Sequence, residues 1–218
     1  MSSPMPTTKR RVDSDGPDFY PTPEWVTQAL LQVEQFKGVI LEPACGDGAI
    51  TRGLEAAGHE VKSSDLYDRG FGLCGRDFLL RNPGKLQVEN IVTNPPYNLA
   101  EKFVLKALEL TKYKVALFLR LAFLESITRY DSIFSKIPPA RIWVFSERVT
   151  MYPSGQQTAG SGTTAYAWFV WDSLSSRRGY TASEAGTQLG WIPPGSKPKA
   201  KKRGRPALGL KLADLGLS

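Results

Sequence analysis

Val39-Ile40-Leu41-Glu42-Pro43-Ala44-Cys45-Gly46-Asp47-Gly48 decides the fold. An apolar run of strand type enters a Gly-x-Gly turn. Ala49-Ile50-Thr51-Arg52-Gly53-Leu54-Glu55-Ala56-Ala57 then continues with helical composition until Gly58 stops it. Strand, glycine loop and helix in that order make a β-loop-α unit of the kind that holds nucleotides. A dinucleotide fingerprint would need a third glycine where Thr51 stands, and it would set a pyrophosphate against the helix N-terminus, where Asp47 repels it. A cationic ligand suits the loop better. Glu42 and Asp47 can flank an ammonium or a sulfonium, and the glycines let backbone approach closely.

The chain on either side extends this unit into a layered α/β domain. His59-Glu60-Val61-Lys62-Ser63-Ser64 reads as a second strand and ends in Asp65, about 20 residues past the glycines, where an acidic side chain binds ribose hydroxyls. Asp77-Phe78 closes another short segment and offers a polar contact and an apolar wall for an adenine ring. Upstream, Thr22 is a good N-cap and Pro23 suits a first helical position. Residues 24–36 then present Trp25, Ala29, Leu30, Val33 and Phe36 on one face. Strand and helix alternate downstream over residues 38–43, 49–57, 60–64, 90–94, 99–112, 114–121 and 123–136. The pattern predicts one doubly wound, mostly parallel sheet covered by helices on both sides. Residues 140–145 and 164–171 have no convincing helix between them and are expected to pair antiparallel at one edge. Glu42, Asp65 and Asn94 all fall at strand carboxyl ends, where ligands collect in such sheets.

Asn94-Pro95-Pro96-Tyr97 follows the apolar run Asn90-Ile91-Val92-Thr93 and carries the chemistry. An exocyclic amine on a base, or an amide, has its lone pair delocalised. It attacks an electrophile poorly unless acceptors hold its N–H groups. The Asn94 side-chain oxygen and the Pro95 carbonyl can be those acceptors, and two prolines stiffen the loop and carry no N–H. Tyr97 offers a ring for a flat base. By itself the tetrad is also compatible with a strand that ends in a rigid turn with an aromatic plug.

The ordered set Phe19-Tyr20-Pro21-Thr22-Pro23, Glu42 to Gly48, Asp65, Asp77-Phe78 and Asn94 to Tyr97 resembles the S-adenosylmethionine-dependent amino-methyltransferases. The closest likeness is to the small phage and prophage N6-adenine DNA methyltransferases, over roughly residues 18–172. The resemblance implies a class I, Rossmann-like methyltransferase fold with S-adenosyl-L-methionine as cofactor. Tyr20, Pro21 and Thr22 with Glu42, Ala44, Cys45, Gly46, Asp47 and Gly48 would hold its methionine part. Asp65 and Leu66 would hold the ribose, and Asp77 and Phe78 the adenine. Asn94, Pro95, Pro96 and Tyr97 would hold the target amine. The partner would be DNA, double-stranded, with the adenine flipped out of the stack. Cytosine C5 chemistry needs a cysteine nucleophile in a Pro-Cys setting that neither Cys45 nor Cys74 has, while cytosine N4 poses the same problem as adenine N6. Methyltransferases of the sequence-specific kind carry a sizeable target-recognition region, and the gap between Asp77-Phe78 and Asn94 is too short for one. Amine methyltransferases acting on RNA or on protein glutamine share the tetrad, although those of release-factor type have a helical N-terminal domain that is missing here. A catalytically idle DNA-binding protein is a further alternative.

Of the 218 residues, residues 1–172 carry 19 Lys and Arg against 19 Asp and Glu, whereas residues 173–218 carry 9 against 2, so the net charge of +7 comes from the second segment. The chain is therefore read as a disordered leader over 1–17, a methyltransferase domain over 18–172 and a basic low-complexity tail over 173–218. Lys201, Lys202, Arg203 and Arg205 lie in a stretch whose Arg-Gly-Arg-Pro resembles the core of an AT-hook. It reads either as a minor-groove binder or as an unspecific phosphate-binding tail. Two cysteines and one histidine leave no metal-site spacing and no disulfide framework. No apolar run approaches the ~20 residues that a membrane crossing needs, and no signal peptide is evident. Free thiols, no metal and a cytoplasmic setting, in a bacterium or a phage-infected cell, are expected. Residues 148–162, rich in small polar types, read as a substrate loop or as a disordered connection. Arg120, near the end of its strand, reads as a substrate contact or a surface ion pair.

Overall fold

In a computed structural model, residues 19–82, 88–152, 164–172 and 186–198 are described. They form a seven-stranded sheet of β1 (Ile40–Glu42), β2 (Val61–Ser63), β3 (Val88–Thr93), β4 (Thr111–Arg120), β5 (Arg141–Phe145), β6 (Tyr166–Asp172) and β7 (Gln188–Ile192). The spatial order is β2-β1-β3-β4-β6-β5-β7, and β6 alone runs against the rest. The chain leaves β1 for β2 on one side and returns to lay β3 on the other. That reversal opens a crevice at the carboxyl ends of β1 and β3.

Strand periodicity explains why both faces are covered. Val115, Leu117 and Leu119 of β4 point to one side, where they meet Leu41, Ile91, Phe169, Trp171 and helix α3 (Ala100–Leu110). Ala116 and Phe118 point to the other, with Ile40, Val92, Trp168 and Val170, under helices α1 (Glu24–Val33) and α2 (Ala49–Ala56). Successive side chains alternate between faces, so a strand buried on both must be apolar throughout. Residues 166–171 of β6 are all buried for that reason. The Trp168 indole N–H donates to the Val26 carbonyl at 3.0 Å, which ties α1 to the middle of the sheet.

Three expectations need correction. The antiparallel pair β5–β6 forms but is not the edge, because β7 pairs parallel with β5 beyond it. β7 lies in the segment read as a low-complexity tail. A side chain at Gly190 would run into the Trp143 ring, so the glycine there lets β7 lie close against β5. Helix α1 ends at Val33, not at residue 36, because Glu34 turns extended and is drawn into a buried ion cluster. Residues 123–136 form no continuous helix. Ser126, in extended conformation, caps a new turn by accepting from the Arg129 N–H. The Arg129 guanidinium occupies the carbonyls of Ala122, Phe123 and Glu125, and a π-turn follows at Tyr130–Phe134.

Of the remaining sequence features, residues 153–162 of the loop read over 148–162, the leader over 1–17 and the AT-hook-like stretch lie outside the described residues. Among those described, no helix is long and apolar enough to cross a membrane.

Candidate active site

The glycine loop is built for close approach. Gly46 has φ 55° and Gly48 has φ 84°, both in the left-handed region that L side chains avoid. A Cβ at Gly46 would stand 2.6 Å from the Phe19 ring, and one at Gly48 would stand 2.5 Å from the Phe71 ring. The Gly46 N–H donates to Asp65 Oδ2 at 2.8 Å, and the Tyr67 N–H to Asp65 Oδ1 at 2.9 Å. Asp65 is thus already the clamp that joins the end of β2 to the glycine loop. Two backbone donors leave roughly two further acceptor positions on its carboxylate for a ligand's hydroxyls.

Glu42, at the end of β1, is 1% exposed and accepts from the Thr51 hydroxyl, which also contacts Ser63 Oγ at 2.6 Å. Burial pushes its carboxyl well above the ordinary 4.5, and the negative charges of Asp47 and Asp65 add to this against the Thr51 hydrogen bonds. A group so placed gains most from a cation. Asp47 accepts from the Ala49 N–H at 3.2 Å at the start of α2. Cys45 is 4% exposed, directs its thiol to the Phe71 carbonyl, and has its pKa pushed up to about 12 by burial and then by Glu42 and Asp65. A thiol so hard to ionise is no nucleophile.

Across the crevice, the Asn94 amino group donates to the Tyr20 carbonyl at 3.2 Å and to Thr22 Oγ1 at 3.0 Å. A carbonyl can only accept, so this pairing fixes which way the amide faces. Asn94 Oδ1 is consequently left buried without a hydrogen-bond partner among the described residues. Thr22, read from the sequence as a helix cap, instead makes no cap bond, since Pro23 precedes the helix and the hydroxyl serves Asn94. The Leu99 N–H bonds the Pro96 carbonyl at 2.9 Å and opens the 3-10 turn Tyr97–Leu99, a turn that does not occupy the Pro95 carbonyl. The Tyr97 ring lies 5.6 Å from Tyr20 and 6.1 Å from Tyr166, and one face carries the Arg120 guanidinium at 4.2 Å.

These groups surround one cleft with about 1000 Å³ of empty space, part of it open to solvent. Tyr20, Pro21, Thr22, Glu42, Ala44, Cys45, Gly46, Asp47, Asp65, Leu66, Asp77, Phe78, Asn94, Pro95, Pro96 and Tyr97 all line it. Gly48 does not line it but acts as the left-handed N-cap of α2. Phe78 is 2% exposed and packs on Phe103 with ring centres 5.0 Å apart, so it presents only a small face to the cleft. Asp77 accepts from the Leu79 N–H at 2.9 Å and holds that corner in place. Lys201, Lys202, Arg203 and Arg205 lie outside the described residues. The sequence reading missed Arg69, Arg76 and Leu79 as lining residues, and Phe19, which opens the Phe19 to Pro23 element, lines the cleft as well. Arg69 stacks at 4.0 Å on Phe19, and no local spacing announces that contact. Among the described residues no group of three or more His, Cys, Asp or Glu could hold a metal ion.

No family model matches the chain, and no curated protein matches it. Solved structures do. A protein from Vibrio vulnificus assigned as a modification subunit of a type I restriction enzyme superposes with a TM-score of 0.52 at 14% identity. The superposition covers 85% of this chain and 49% of that one. A protein from Listeria monocytogenes assigned as a class I S-adenosylmethionine-dependent methyltransferase superposes with a TM-score of 0.54 at 16% identity, over 78% of this chain and 65% of that one. The chain thus spans about half to two thirds of these proteins. The fold is the Rossmann-like α/β fold of the class I methyltransferases, a mostly parallel seven-stranded sheet with an antiparallel hairpin.

Proposed function

We propose that the protein transfers the methyl group of S-adenosyl-L-methionine to the exocyclic N6 amine of adenine in DNA. The observation that carries this reading is the acceptor Asn94 Oδ1, buried, oriented by the two hydrogen bonds of its amino group and without a hydrogen-bond partner among the described residues, on the cleft that Glu42, Asp47 and Asp65 also line. The cofactor supplies an electrophilic methyl group on a sulfonium, together with an ammonium, a carboxylate and a ribose.

The residues present fit such a ligand. Glu42, whose burial favours arrival of a cation, and Asp47 face its positive charge, while Arg69 and Arg76 on the same cleft suit its carboxylate. Asp65 has acceptor capacity left for ribose hydroxyls beyond its bonds to Gly46 and Tyr67. The glycine cradle, which a Cβ at Gly46 or Gly48 would fill, lets the ligand meet bare backbone.

Asn94 Oδ1 and the Pro95 carbonyl accept from the two N–H bonds of the target amine. That draws the nitrogen away from planarity and orients its lone pair, and orientation supplies most of the catalytic gain. The Tyr97 ring, whose one face carries Arg120, stacks the base, which has to leave the duplex to reach the cleft. Cys45, with its thiol pushed up to about 12, takes no part. A DNA substrate agrees with the basic segment that gives the chain its charge of +7 and with the restriction-enzyme assignment of the Vibrio vulnificus protein.

The test is transfer of labelled methyl groups to duplex DNA, RNA and protein pools, followed by nucleoside analysis. N6-methyladenine in DNA is the expected product. N4-methylcytosine would change the base, label confined to RNA or protein would overturn the substrate, and absence of label with no cofactor binding would overturn the activity.

A further inference from the structure

Arg120 ends β4 on the same rim as the Asn94 tetrad. Its guanidinium is held by the stack on Tyr97, yet its Nε and Nη2 are buried with no hydrogen-bond partner among the described residues. Those two nitrogens aim their N–H bonds in one direction, a planar fork that matches two oxygens of one anion. The protein itself supplies the comparison. At the opposite end of the sheet, Arg141 donates from Nε and Nη2 to the two carboxylate oxygens of Glu34 at 2.5 and 3.3 Å. A guanidinium keeps its charge at any pH a protein meets, and leaving buried donors unpaired is costly. Strand pairing does not explain that cost, because the pairing of Arg120 with Tyr166 uses backbone groups and is indifferent to the side chain.

We propose that the Nε/Nη2 fork of Arg120 receives two oxygens of a DNA phosphodiester flanking the target nucleotide. This rests on the reading of DNA as the substrate. A phosphodiester offers two unesterified oxygens in the geometry that Glu34 offers Arg141. Stacking on Tyr97 sets the fork beside the ring against which the base lies, so the phosphate it takes belongs to the same strand and the same neighbourhood. The contact fixes the strand while Asn94 fixes the amine.

The experiment uses the full chain and a duplex whose methylated adenine has been mapped. For Arg120→Gln, KM for DNA should rise roughly tenfold to a hundredfold, and the slope of log K against log salt should fall by about 0.9, one phosphate's share. Cofactor affinity and melting temperature should not move, whereas loss of a merely structural arginine would lower the latter. Arg120→Lys keeps the charge without the fork, so the salt slope should hold while KM still rises. The wild-type protein is also assayed on duplexes with a single neutral methylphosphonate on either side of the target. One placement should cost the wild type as much as Arg120→Gln does and cost that variant nothing further. Should Arg120→Gln fail to fold, the methylphosphonate series decides alone. Unchanged KM and salt slope in Arg120→Gln, or a wild type indifferent to both placements, overturns the fork while the proposed function stands. A wild type that methylates no DNA overturns the proposed function first and the fork with it.

Discussion

The two ends of the sheet treat buried polar groups in opposite ways. At the amino ends of the parallel strands, Glu34 accepts from Arg141, Lys114 and the Trp143 indole, and Arg141 also grips both oxygens of Asp172. Every charge in that cluster is met by another. Burial pushes the Glu34 carboxyl up, but the hydrogen bonds from Arg141, Lys114 and Trp143 outweigh it and leave the pKa below the ordinary value. At the carboxyl ends, Glu42 is buried with a hydroxyl for a partner and its pKa is raised, and among the described residues Asn94 Oδ1 accepts from none and the Arg120 fork donates to none. Buried polar groups that satisfy one another stabilise a fold, whereas groups held rigidly but left short of partners carry the ligand contacts proposed above.

The largest effect should come from breaking the closed end. Glu34→Ala leaves Lys114 without its carboxylate and Arg141 with Asp172 alone, in a site where Glu34 itself is 5% exposed, and should cost roughly 3–5 kcal/mol in urea unfolding. Loss of less than 1 kcal/mol would show the cluster to be an ornament of the surface. At the open end, Asn94→Ala should lower turnover by roughly a hundredfold to a thousandfold, the range seen when one transition-state hydrogen-bonding group is removed. Cofactor affinity, followed by calorimetry, should fall less than tenfold, a modest loss because the Asn94 amide also tethers Tyr20 and Thr22. Turnover close to that of the wild type would remove Asn94 from the chemistry.

The carboxylates of the two ends should have opposite pH signatures. The folded pKa of Glu34 is lowered, so its contribution to stability is present above its unfolded value and is lost as pH falls through the folded one. The folded pKa of Glu42 is raised, so its contribution is full below about 4.5 and is lost as pH rises towards the folded value. Glu42→Gln should therefore match the wild type in acid and be the more stable protein at neutral pH. A cation in the cleft should draw the Glu42 proton off, so at any pH where the raised pKa keeps Glu42 protonated in the free protein, wild-type cofactor binding should release a proton that Glu42→Gln does not. Calorimetry in buffers of different ionisation enthalpy reads this, and equal proton release from both proteins would exclude Glu42 as the source. Asp65→Asn should weaken the cofactor by about 1.5–3 kcal/mol, part of it through the loosened Gly46 N–H.

What the sequence disclosed at these two ends differs for physical reasons. The β1 strand, glycine loop and α2 form a local signal, because the hydrophobic run, the positive-φ glycines and the helix are contiguous. Asn94 was legible because two prolines make its loop rigid without help from elsewhere. The pairing of Arg141 with Glu34 spans more than a hundred residues and leaves no periodic trace. β7 is five residues long, exposes Leu189 and Trp191, and turns a glycine to the Trp143 ring, so its alternation was lost in a Gly- and Ser-rich background. Thr22 and the 123–136 segment misled for one shared reason. Groups with a regular local use, a cap and a helix ladder, were taken by side chains instead, Thr22 by the distant Asn94 and the carbonyls of Ala122, Phe123 and Glu125 by Arg129 of the same segment.

The smallest effect concerns the basic segment. Because β7 belongs to the sheet, and Glu147 accepts from the Gly195 and Lys197 N–H groups at 2.8 and 3.1 Å, a cut after Asp172 would damage the domain. A cut after Pro198 keeps all of these and removes Lys199, Lys201, Lys202, Arg203 and Arg205. If those charges act through phosphates, the shortened protein should bind DNA more weakly at low salt and depend less steeply on salt, with turnover at saturating DNA unchanged. The gap should close as salt rises, because exposed charges more than about 10 Å from the phosphates are screened at 0.1 M. Arg203→Ala with Arg205→Ala in the full chain separates the two remaining readings. Insertion in a narrow minor groove would cost more affinity on A·T-rich than on G·C-rich duplexes, and an equal loss on both would make the segment an unspecific tether. A tether would only raise the local concentration of DNA and would leave alignment of the strand to the proposed Arg120 fork and Asn94 loop.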